Sequence, residues 1–345
     1  MARALERTLS LRDLILIVVG TVIGSGIFIV PAVVLRETGG DIGTALTVWM
    51  GAGLLSLLGA LTYGELGAMK PEAGGLYVFI REAFGPLPGF LYGWTLFFVI
   101  GSGSVATLAV ASTAYLDQLV PLGPVMEWLA PLLLIALVAG INVKGTDESA
   151  SVQGWTTLFK AGMLVAMSVA LLFLGRGVTE GTSIWPESVT GSLLSSVGLA
   201  VIATLWAYEG WQYVTFSAGE TRNPQRTFPI GIVVGTVTLI AIYLLANVGY
   251  IVALGPEAAA ASDAVAADAV EAMLGPIAGN IIAATIVLSM FSAANGITLT
   301  APRVFYAMAR DGLFFKRLAQ VHPRFGTPAF AVLAGSAWAM VLAAT

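Results

Sequence analysis

The chain of 345 residues is 57% hydrophobic and only 10% charged, with a mean hydropathy of +0.89. Soluble domains carry about a quarter charged residues, so this composition excludes a soluble globular fold and belongs to the membrane class. The net charge of −4 says little until the charges are placed along the chain, and the absence of cysteine excludes disulfides and thiolate metal sites.

Stretches apolar enough to cross about 30 Å of hydrocarbon are predicted near 12–36, 42–68, 88–116, 125–141, 152–175, 190–219, 229–254, 277–308 and 328–345, nine in all. No segment of strand-spanning length alternates with period two, which argues against a β-barrel. Arg3, Arg7 and Arg12 precede the first span. That span is longer than the apolar core of a signal peptide and lacks its cleavage site. With the N-terminus in the cytoplasm, thirteen Lys and Arg residues fall on that side against Arg36 and Arg176 on the other, with Lys160 inside a span. The bias predicts a multi-pass protein of a plasma or inner membrane with a cytoplasmic N-terminus.

In chain order, the first polar anomaly is Gly20-Thr21-Val22-Ile23-Gly24-Ser25-Gly26-Ile27-Phe28 in mid-span. Gly24 and Gly26 each cost about 1 kcal/mol in a helix relative to alanine. N–H groups freed there must face protein or a polar solute, and a half-helix starting there aims its positive end at an anion. The alternative is close helix packing through Gly20 and Gly24. Residues 70–85 then read as an amphipathic segment on the membrane surface. GSGS at 101–104 reads as a packing surface, and Lys160 in span five is either functional or snorkels to the span's end. Span six carries Trp206-Ala207-Tyr208-Glu209-Gly210-Trp211, an acid and a glycine among aromatics, which fits an unwound segment walling a pocket. A buried Glu209 satisfied by a neighbouring helix is the alternative. Asn223-Pro224 reads as a turn, and Arg222 and Arg226 as partners for Glu65 or Glu220. The acidic stretch from Glu257 to Glu271 reads as one short external helix. Ser289, Ser292, Asn295 and Thr298 form a polar face on span eight, and 309–322 is a second surface segment.

GTVIGSGIF (20–28), YGELGAMKPEAGGLYVF (63–79), WAYEGW (206–211) and GETRNPQRTFP (219–229), in this order, make the chain resemble the APC superfamily of amino acid permeases. The likeness is to its L-amino-acid-transporter and bacterial exchanger branch. It implies an all-α LeuT-like inverted-repeat fold with discontinuous helices 1 and 6, repeats at 12–175 and 190–345, and alternating access. Members usually have more spans, so the second repeat is expected to lack its fifth helix.

The resemblance further implies that N–H groups of Ser25, Gly26 and Ile27 beside Gly24 bind a substrate carboxylate. It gives the amine to the carbonyls of Ile23 and Trp206, with Glu209 near. Trp206 would be the gate, with Ala207 beside it, and Tyr208 would shape the side-chain pocket. Lys160 would stand in for a sodium ion, giving sodium-independent exchange of neutral amino acids or proton-coupled symport. The expected partners are an amino acid and membrane lipid, with no nucleic acid and an accessory subunit left open. No cofactor or enzymatic role is expected: H-E-x-x-H, G-x-S-x-G and the P-loop pattern are absent, and the single histidine, His322, lies outside every span.

Overall fold

The computed structural model describes residues 5–179, 184–186, 188 and 191–345. Arg3 and residue 190, the expected start of the second repeat, lie outside the described residues. Helix α1 (Leu11–Val22) opens on a capping box: Ser10 Oγ accepts the Asp13 N–H and Asp13 accepts the Ser10 N–H at 2.8 Å, a device worth about 1 kcal/mol. The chain breaks after Val22 and restarts as α2 (Gly26–Glu37), bent 52° from α1. Then come α3 (Ile42–Met69) and α4 (Leu76–Phe84), the amphipathic segment. The third span consists of α5 (Pro86–Thr95), a π-turn at Leu96–Ile100 and α6 (Gly101–Leu119). Helices α7 (Pro124–Lys144) and α8 (Thr146–Leu174) follow.

In the second half, α9 (Gly191–Tyr208) gives way to 3₁₀ helix at Trp211–Glu220, and α10 (Pro224–Leu254) begins beyond Asn223, whose φ of 48° makes the expected turn. The acidic stretch from Glu257 to Glu271 forms two helices, α11 (Pro256–Ala261) and α12 (Val265–Leu274), where one was predicted. Ser262 divides them by accepting the Ala264 N–H at 3.0 Å, a local bond that competes with the helix. Next are α13 (Pro276–Thr300), α14 (Pro302–Arg310) and α15 (Ala329–Ala344). The second surface segment is mostly irregular, with one turn of 3₁₀ helix at Lys316–Ala319.

Among the described residues, seven helical stretches are long and apolar enough to span a bilayer, and the bent α1–α2 pair makes an eighth. The predicted ninth, α15, has 16 residues. Leu58, Trp155 and Phe173 project outward from the bundle, as lipid-facing side chains do. The span made by α13 and α14 is more enclosed than the other six continuous ones among the described residues, and α1 packs against α13, α8 and α10. The break in the first span therefore sits at the centre of the bundle.

Candidate functional site

A helix that stops in mid-membrane leaves carbonyls without donors at one end and N–H groups without acceptors at the other. The two half-helices of the first span expose both sets at one place. Among the described residues, no acceptor pairs with the N–H groups of Gly24, Ser25, Gly26 and Ile27. They lie at the positive end of α2, which suits a carboxylate.

The three glycines divide between packing and openness. A Cβ on Gly20 would lie 2.1 Å from Thr157 Oγ1, and one on Gly26 3.0 Å from the Ala207 backbone. A Cβ on Gly24 meets nothing nearer than Leu108 Cδ2 at 3.9 Å. Packing explains Gly20 and Gly26; Gly24 borders open space. Alanine at 24 is therefore expected to leave the melting temperature unchanged while weakening binding at the break. Alanine at 26 wedges α2 off α9 and is expected to lower it. Thermal unfolding and ligand titration of both variants check this contrast.

The second break faces the first. Helix α9 ends at Tyr208, and Gly210, at φ 125°, lies so close to α1 that a Cβ would sit 3.1 Å from the Thr21 carbonyl. Thr21 Oγ1 lies 3.1 Å from the Gly210 carbonyl. Tyr243 of α10 bridges the breaks, its hydroxyl 3.1 Å from the Val22 carbonyl and 3.2 Å from the Ala207 carbonyl. Trp206 is 60% exposed, and its ring edge passes 3.7 Å from where a Gly26 Cβ would be. Its carbonyl accepts the Glu209 N–H at 3.1 Å.

Glu209 is exposed and pairs with Gln212, so it is not satisfied by a neighbouring helix. Tyr208, expected in the side-chain pocket, is instead 1% exposed and packs edge-on against Trp49 and beside Tyr243. Two positions along a helix turn about 200°, so Trp206 and Tyr208 leave α9 on opposite sides.

Lys160 is wholly buried, which excludes snorkelling. Its Nζ donates to the carbonyls of Gly20 (2.7 Å), Ile23 (2.6 Å) and Ser289 (3.2 Å). The ammonium thus uses all three donors and caps the negative end of α1. Ser289 Oγ also donates to the Ile23 carbonyl at 2.9 Å. That carbonyl, expected to meet a substrate amine, already has two donors. Ser292 accepts from Thr156, and Asn295 bonds to Asn142 and Gln153, so only Ser289 of the predicted polar face reaches Lys160.

At the N-terminal end of α1 the bundle is closed by a buried ion pair. Arg303 of α14 donates through Nε to Glu220 Oε1 at 2.6 Å and through Nη2 to Oε2 at 3.1 Å. Thr146 of α8 accepts from Arg303 at 2.9 Å and donates to Glu220 at 2.8 Å. Arg222 and Arg226, the expected partners, do not pair with Glu220. Leu9 strengthens the closure by exchanging backbone bonds with Glu220 and Arg222, both at 2.9 Å. Nearby, Tyr77 donates to Asp311 at 2.7 Å and Arg81 pairs with the same carboxylate. Burial, and then the bond to Asp311, holds the Tyr77 phenol well above its ordinary value, so it stays a donor.

Sequence reasoning missed Tyr243, Gln153, Asn142 and the Glu220–Arg303 pairing. A lone tyrosine or amide in an apolar span gives no signal of its partner; an arginine inside the end of predicted span eight, Arg303, was the one visible hint.

Paired helix interruptions around a buried ammonium, with eight apolar spans among the described residues, define an integral multi-pass membrane protein. The profile of the amino acid permease family matches residues 9–345, and the chain belongs to that family of transporters, which are not enzymes. It is 34% identical over 340 residues to the b(0,+)-type amino acid transporter 1 of Rattus norvegicus, covering 96% of this chain and 68% of that protein. It is 32% identical over 342 residues to the serine/threonine exchanger SteT of Bacillus subtilis (strain 168), covering 98% and 76%. The large neutral amino acids transporter small subunit 2 of Oryctolagus cuniculus is 33% identical over 343 residues, covering 96% and 63%.

Proposed function

We propose that the protein exchanges neutral L-amino acids across the membrane, independently of sodium, by alternating access about the two breaks. The observation that carries this reading is the set of unpaired N–H groups at Gly24 to Ile27, with open space at Gly24 and the Trp206 ring beside Gly26. In it, Ser25, Gly26 and Ile27 read the carboxylate. With the Ile23 carbonyl taken by Lys160 and Ser289, the amine goes to the Trp206 carbonyl and the Glu209 carboxylate. Trp206 swings over the bound solute as the gate, and Ala207 holds α9 against Gly26.

The proposed frame is LeuT-like, nine spans with repeats at 12–175 and 190–345 and a cytoplasmic N-terminus. Broken helices at corresponding positions of the two repeats then face each other. Carbonyls of unwound helix are the ligands a sodium ion would seek, and the Lys160 ammonium already occupies that cluster. The exchange mode is supported by the relative named a serine/threonine exchanger.

Proteoliposomes containing the protein and preloaded with unlabelled serine or leucine are expected to take up the labelled amino acid without sodium on either side. Uptake that requires sodium would refute the ammonium's role. Uptake that needs no internal amino acid but follows an inward proton gradient would replace exchange with proton symport, in which Lys160 gains and loses a proton.

A further inference from the structure

Below the Lys160 cluster, toward the N-terminal end of α1, lies a second set of buried polar groups that the proposed transport site does not use. Gln153 and Thr157 of α8, Asn295 of α13, and Asn142 and Ser149 at the α7–α8 corner are each at most 1% exposed. They form one chain of bonds. Ser149 Oγ donates to Asn142 Oδ1 at 2.5 Å, Asn142 Nδ2 to Asn295 Oδ1 at 2.9 Å, and Asn295 Nδ2 to Gln153 Oε1 at 2.9 Å. Gln153 Nε2 donates to Thr157 Oγ1 at 3.4 Å, and Thr157 Oγ1 to the Leu16 carbonyl of α1 at 3.1 Å.

The Gln153 amide is seated in a slot that two glycines make. A Cβ on Gly20 would lie 2.2 Å from Gln153 Nε2, and one on Gly296 3.1 Å from the same atom. Any side chain at Gly20 would meet the amide head-on. The slot also lies at a boundary between wet and dry. A cleft of about 320 Å³ enters from the N-terminal end of α1, lined by Arg12, Asp13, Leu16, Asp147, Ala150 and Gly154. It reaches Leu16 and Gly154, and the Gln153–Thr157 pair stands directly above it.

We propose that Gln153, wedged between Gly20 and Gly296, is the catch that holds the half of the broken span carrying the N-terminus closed against α8 and α13. This rests on the alternating-access reading above, in which that half-helix must part from α8 to open the cytoplasmic side. Gln153 is a positioning residue: it touches no substrate and acts by holding α1. Its amide donates to Thr157 of its own helix and accepts from Asn295 of α13, so it fixes the Thr157 hydroxyl that bonds to the Leu16 carbonyl of α1 while packing on Gly20. Parting the seam breaks the Thr157–Leu16 bond and strips the Gln153 amide of its packing on Gly20.

The absence of cysteine allows a direct test. Ala150→Cys places a thiol in the cleft at the foot of the seam, and Ala45→Cys places one in the α3 packing, away from it. Both are labelled with a maleimide in proteoliposomes without amino acid, so the reading does not depend on transport. Gln153→Met fills the slot but no longer orients the Thr157 hydroxyl on the Leu16 carbonyl, and is expected to speed labelling at position 150 about tenfold, the factor for roughly one lost buried hydrogen bond. Labelling at position 45 stays as it was. Asn295→Leu, which removes the donor to Gln153, is expected to act in the same direction and to add little in the double variant. Unchanged labelling at position 150 in both variants overturns the proposal, as does equal acceleration at both thiols. A protein that labels as expected but exchanges no amino acid would refute the transport reading and keep the catch.

Discussion

Replacing Lys160 with methionine is expected to reduce amino acid exchange in proteoliposomes roughly a hundredfold, the effect of leaving one or two buried polar groups without partners. The Gly20 carbonyl has Lys160 as its donor at the break, and the Ile23 carbonyl would keep only Ser289. The negative end of α1 would also lose the charge that balances it. A methionine of similar length fills the space, so the loss reports the ammonium rather than a cavity. Lys160→Gln, which can donate two bonds without charge, should recover stability before it recovers exchange. A methionine variant that exchanges at the parental rate would remove Lys160 from the mechanism.

Arg303→Ala is expected to cost about 3–5 kcal/mol of stability, because it strands a buried carboxylate. Glu220 is 1% exposed and has only Thr146 left as a donor from the present set. Burying two charges costs several kcal/mol each before their attraction is counted, so removing both is far milder than removing one. The double variant Arg303→Met with Glu220→Leu should therefore melt close to the parent, while Arg303→Ala alone melts well below it. If the single variant is as stable as the double, the pair contributes nothing to closure. Since Leu9 also bonds to the Glu220 and Arg222 backbone, the double variant isolates the ionic part of that closure from the main-chain part.

The spans and the first break were legible because lipid imposes the strictest composition rule a chain can obey, and Gly24-Ser25-Gly26 violates helix preference where the rule demands helix. The direction in which each side chain leaves its helix was less legible. Tyr208 follows Trp206 by two positions and so points into α3, although both belong to one motif. Ion pairing was misread for a related reason. Arg222 and Arg226 are near Glu220 in sequence, but the chain turns at Asn223 and α14 delivers Arg303 from elsewhere. The Gln153 slot was invisible because its walls are two glycines, on helices remote from each other and from Gln153, and its donor Asn295 is as distant in the chain. Glycine shows its purpose only when the atom it makes room for is known.

The π-turn at Leu96–Ile100 has a consequence for how this lineage can change. A π-turn holds one residue more than an α-turn needs, and Ser102 Oγ donates to the Phe97 carbonyl at 2.7 Å within it. Each residue of helix is worth about 100° of rotation. Deleting one residue here would give a straighter helix with better main-chain bonds. It would also swing Ser102, Val105 and Ala109 out of the bundle, Ala109 from complete burial. The extra residue sets the azimuth of the whole second half of the span. Length variation in this span is therefore confined by rotation: single deletions that look harmless by hydropathy would re-aim the wall nearest Gly24, where Leu108 stands.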